Sequence, residues 1–92
     1  VVDLRSIVPL DIDHVVDSVR RTGRLVIVDE DYGYAGLSGE IYAQVIESGV
    51  QLTAPPRRVT RAHVPIPYSR VLDDVVRPSI ARIEGAVREL VA

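Results

Sequence analysis

Leu25 to Val28 reads LVIV, four apolar residues in a row, three of them β-branched, with no polar residue between them. Such a run reads as a strand buried on both faces, the habit of parallel sheets. Parallel strands cannot be joined by a hairpin and need a crossover, usually a helix. LVIV therefore demands helices before and after it.

The sequence supplies them. Asp11 is a good N-cap, and Asp13 in the first turn suits the positive end of the helix dipole. Ile12, Val15, Val16 and Val19 follow at helical spacing, Arg20 and Arg21 suit the last turn, and Gly23 suits the stop. After LVIV, Asp29 to Gly36 reads as a polar, glycine-rich turn. Leu37, Ile41, Val45 and Ile46 then mark a second helix ending at Gly49. Val50 to Pro56 reads as loop and Arg57 to Thr60 as a short strand. Pro78 suits the first turn of a last helix with an apolar stripe of Ile80, Ile83, Val87 and Val91. Glu84 and Arg88 form a supporting pair on it. With Val1 to Leu4 read as a strand, the order is β-α-β-α-β-loop-α. That order implies an α/β fold with a mostly parallel sheet between helices.

Ninety-two residues make a single domain, spanning 1–92. A chain this short covers its apolar surface poorly, so partners are expected. A formal charge of -2 gives no basic footprint for nucleic acid. With no cysteine there is no disulfide, thiol nucleophile or thiolate zinc site. No apolar run approaches the roughly 20 residues that span a bilayer. All eleven basic residues are arginine, and lysine, asparagine and phenylalanine are absent. Because the arginines are scattered, this reads as GC-rich coding rather than a phosphate site. The chain opens on valine inside an apolar run, as the interior of a longer gene product would.

Four stretches invite chemistry. GYAGLSG (Gly33 to Gly39) lies between strand and helix, where backbone amides can hold phosphate. It lacks both GxGxxG and a Walker lysine, and its glycines serve equally for a tight turn. DEDY (Asp29 to Tyr32) places three acids at a strand end, for magnesium, a ribose hydroxyl or solvent. Asp13, His14 and Asp17 can share one helix face but lack a fourth ligand. His63 has no Ser or Asp partner nearby in sequence. The last feature is RVTRAHVPIPYS (Arg58 to Ser69). Pro65 and Pro67 stiffen it, and Tyr68 offers an apolar face with a polar tip. Rigid loops lose little entropy on docking, so the loop is a contact surface or an internal brace.

The ordered set DLR, PLD, TGR, DE, GEI, RVT and PIPYS resembles the C-terminal domain of the transketolase-like family. Within it, the beta subunit of the decarboxylating component of 2-oxo acid dehydrogenase complexes (pyruvate, branched-chain or acetoin type) is most similar. The likeness covers nearly the whole chain. The family often has a glycine where Arg61 stands and an acid where His63 stands. The resemblance implies a three-layer α/β/α domain that lacks its first strand or strands and a helix. The missing strand would lie between VVDL and LVIV. It implies a parent oxidoreductase in a bacterial cytoplasm, dependent on thiamine diphosphate and magnesium that other parts of the enzyme bind. This chain would carry no catalytic, cofactor-binding or metal residue. Its role would be assembly with the alpha subunit, a second beta subunit and the dihydrolipoyl acyltransferase core. Tyr32, Tyr34, Pro65, Ile66, Pro67 and Tyr68 are the expected contact residues. The competing readings are a freestanding small-ligand module and a domain of another thiamine enzyme, such as a transketolase or deoxyxylulose-phosphate synthase.

Overall fold

A computed structural model describes residues 1–92. Helix α1 runs Ile12–Thr22, strand β1 Val26–Tyr32, helix α2 Leu37–Glu47, strand β2 Arg57–Arg61, helix α3 Arg70–Val76 and helix α4 Ile80–Val91. The α1 signals act as the sequence implies. Asp11 accepts a hydrogen bond from the His14 amide at 3.3 Å, and Gly23 ends the helix at φ 68°.

β1 and β2 pair in parallel, with Ile27 opposite Arg58 and Val28 opposite Val59. Side chains alternate along a strand, so this register assigns each face of the sheet. On one face, Ile27 joins Val15 and Val19 of α1 and Ile41 and Val45 of α2 in the main core. On the other, buried Val59 faces α4, whose Leu90 is also buried. Helices thus flank the sheet on both sides, the layered parallel arrangement that LVIV demands.

Five details differ from the sequence reading. Val1 to Leu4 forms no strand. Val2 and Leu4 point inward against the core in strand-like alternation, but no neighbouring backbone is there to make a ladder. β1 runs four residues past LVIV, to Tyr32, so the acids lie in a strand rather than a turn. The short helix α3 was not expected. In α4, Ser79 rather than Pro78 starts the helix, accepting from the Arg82 amide at 3.1 Å. Contact with the sheet also selects a different row of that helix. Ile83, Ala86 and Leu90 turn inward, while Ile80, Val87 and Val91 stay exposed.

The sheet has only two strands, so β1 has one bare edge. Beside it runs a groove of about 500 Å3, walled by Val1, Val2 and Leu4 on one side and by Val26 to Asp29 on the other. Its floor includes Val15, Val19, Leu37 and Ile41. Only 10 of 92 residues are buried, which leaves the core small for the chain it must hold. The radius of gyration is 13.9 Å, above the roughly 12 Å expected of a compact chain this long.

The open edge forgoes a second ladder and the core is small, so little apolar burial is set against an ordering cost of about 1–2 kcal/mol per residue, in folds whose total stability is only about 5–15 kcal/mol. These 92 residues alone are therefore expected not to form a stable monomer. Solution mass and urea unfolding check this. A cooperative transition from a monomer, independent of concentration, would show that the two-stranded sheet suffices.

Candidate functional site

The features with chemical potential gather beyond the carboxyl ends of β1 and β2. They are the β1–α2 turn, the proline loop and α3. The turn is built by close packing. A Cβ on Gly36 would lie 2.0 Å from the Tyr32 carbonyl oxygen, and one on Gly33 would lie 2.8 Å from Thr60 Oγ1. Arg58 donates to the Gly33 carbonyl at 2.8 Å and to Ser38 Oγ at 3.3 Å. Glycine at 36 is thus required by the close approach of the chain to itself, and the nearest arginine is engaged.

Two of the three DEDY acids act on their own backbone, while Glu30 lies 4.0 Å from Arg77. Asp29 accepts from the Asp31 amide at 3.0 Å, and Asp31 accepts from the Tyr32 amide at 2.7 Å. The pairing register slips between Val28 and Tyr32, and these local bonds satisfy amides that the bulge removes from the ladder. On α1, Asp17 accepts from Arg20 at 2.8 Å, and Asp13 and His14 are exposed. No group of three or more His, Asp or Glu side chains is arranged to hold a metal.

His63 has a different role. Its ring stands edge-on to Tyr32, with centroids 5.7 Å apart, and tilted against Tyr34 at 5.4 Å. Tyr32 donates its hydroxyl to the Val64 carbonyl at 2.6 Å. The proline loop is therefore braced from within by Tyr32 and His63. Beyond the brace it turns outward. Tyr68 is fully exposed, Ile66 and Tyr34 largely so, and Pro65 is exposed. Of the six expected contact residues, only Tyr32 and Pro67 are half-buried. Brace and contact surface are both present, on different residues.

α3 extends the surface. It buries none of its residues and exposes Val71, Leu72 and Val75. Sequence reasoning passed over it, although Ser69 before an apolar pair and two acids is a helix-start signal. Below it lies an ion-pair network. Arg61 donates to Asp73 at 2.6 Å and to the Glu30 carbonyl at 3.0 Å. Arg77 lies 3.1 Å from Asp73, and also pairs with Asp74, whose hydrogen bond and charge push the guanidinium above its ordinary value.

A family model described as "Transketolase, C-terminal domain" matches residues 1–83. The chain belongs to that family. Its similar relatives include the acetoin:2,6-dichlorophenolindophenol oxidoreductase subunit beta of Cupriavidus necator, 40% identical over 97% of this chain. The mitochondrial pyruvate dehydrogenase E1 component subunit beta of Saccharomyces cerevisiae is 40% identical over 100% of it. The corresponding subunit of Rickettsia bellii is 40% identical over 98%. The chain spans only 27%, 26% and 28% of these relatives' lengths. The resemblance read from DLR through PIPYS is thereby borne out. This transketolase C-terminal domain has no helix long and apolar enough to cross a membrane.

The internal brace can be tested separately from the surface. Tyr32→Phe deletes one hydrogen bond, worth about 0.5–1.5 kcal/mol. In the full-length polypeptide it should speed proteolysis between Ala62 and Ser69 several-fold, with cleavage elsewhere unchanged. Equal rates in both proteins would remove the brace role.

Proposed function

We propose that this domain is the non-catalytic assembly and docking end of the beta subunit of a thiamine-diphosphate-dependent 2-oxo acid dehydrogenase. The parent would decarboxylate a 2-oxo acid and pass the acyl group to lipoyl. The cofactor supplies that chemistry when bound, and the protein positions it. The partners would be the alpha subunit, a second beta subunit and the dihydrolipoyl acyltransferase core. The observation that carries the reading is the braced loop. Its inner side is fixed by Tyr32 and His63, while Ile66 and Tyr68 are held out toward solvent. The relatives' names as beta subunits supply the class.

The residues here do not fit thiamine diphosphate or its magnesium. Gly36 serves close packing against the Tyr32 carbonyl, Asp29 and Asp31 hold backbone amides, and Glu30 lies 4.0 Å from Arg77. No step of the parent reaction is assigned to this chain. The groove beside β1 favours a missing strand over a small ligand. One wall is the unpaired edge of β1, the other is the segment whose Val2 and Leu4 alternate toward the core, and the lining is mostly apolar. In this proposal a further strand of the same polypeptide pairs with β1 there and completes the sheet.

Two measurements test the proposal. In the full enzyme, titration calorimetry with thiamine diphosphate and magnesium should give the same affinity after Asp29→Ala or Glu30→Ala. Micromolar binding abolished by substituting Asp29 or Glu30 would overturn this reading. In the full enzyme, Pro67→Gly and Tyr68→Ala should each weaken subunit assembly by roughly tenfold, about the effect of a contact residue worth more than 1 kcal/mol. Thermal melting should change little. If melting falls while assembly is untouched, the loop serves the fold alone.

A further inference from the structure

We infer that Arg61 is an ionic clasp that holds α3 on the domain and so sets how its apolar face is presented. A helix of seven residues has little stability of its own. Helices normally dock by burying an apolar stripe, but α3 is inverted. Val71, Leu72 and Val75 are 73%, 56% and 73% exposed, while Asp73 turns toward the domain. Of its apolar residues only Val76 is half-buried, and what ties the middle of the helix to the sheet is charge. Arg61 bonds Asp73 of α3 through Nη1 and the Glu30 carbonyl of β1 through Nε, tying helix to sheet with one guanidinium. Its side chain is only 10% exposed, so the pair is shielded from solvent far better than a surface bridge. Arg77, just past the helix end, adds a second contact to Asp73, and a backbone bond from Ala62 to the Val76 carbonyl at 2.9 Å anchors that end. Removing Asp73 leaves the shielded Arg61 charge without a carboxylate, and removing Arg61 leaves Asp73 only the contact with Arg77. The clasp belongs to this chain's own packing and stands whatever the parent reaction is.

Amide hydrogen exchange in the full-length polypeptide, read by mass spectrometry, tests the clasp. Arg61→Gln and Asp73→Asn should each raise exchange across residues 70–76 by about tenfold, the equivalent of one charged hydrogen bond. Exchange across 37–47 should stay unchanged. The double variant should add less than the product of the single effects, because both delete the same bond. The inference is overturned if α3 exchange is unmoved in Arg61→Gln, if the effects multiply, or if 37–47 accelerates equally.

Discussion

The parallel pairing of β1 with β2 is the interaction on which the rest of the domain depends. Its register sends Ile27 toward α1 and α2 and Val59 toward α4. A slip of one residue would exchange the two faces and bury Arg58 where Val59 now packs. The same register puts Arg58 beside the β1–α2 turn, where it bonds Gly33 and Ser38. Past Val28 the pairing breaks its step, and the acids of β1 close the gap with side-chain bonds to backbone. A feature that looks like a metal site in sequence is thus a consequence of the bulge.

The domain is unevenly finished. Around α1, α2 and Ile27 it has a packed core, with Val45 fully buried. The other edge of β1 is bare, and the groove beside it is bounded by a segment that alternates like a strand without pairing. Hydrogen-bonded ladders need two backbones, so a segment of strand-like sequence stays a coil when its neighbour is absent. The same shortage explains why α4 exposes three large apolar residues after filling its contact with the sheet.

Beyond the strand ends, two kinds of fastening divide the work. Aromatic contacts and one tyrosine hydroxyl fix the proline loop. Ion pairs fix α3. Both leave apolar side chains facing out. Arg61 and His63 join the two fastenings to the strands. Each makes contacts that tie the loop or α3 to β1 and its turn.

The sequence by itself determined the α/β class, the caps of α1, the place of the strand at LVIV and the family, though of that run only Ile27 is buried and Val28 is 47% exposed. These rest on local spacing and backbone preference, which a helix or strand carries with it. It also marked the proline loop as stiff, since proline restricts the backbone whatever surrounds it. Tertiary structure alone decided that Val1 to Leu4 is not a strand, because pairing needs a partner remote in sequence. It decided that α4 turns Leu90 inward, because two apolar rows were available and only contact with the sheet selects one. It decided the roles of Arg61 and His63, whose partners Asp73, Tyr32 and Tyr34 lie 12 to 31 residues away. Charge and ring contacts act over a few ångströms of space, and a linear pattern does not contain those distances until the sheet has formed.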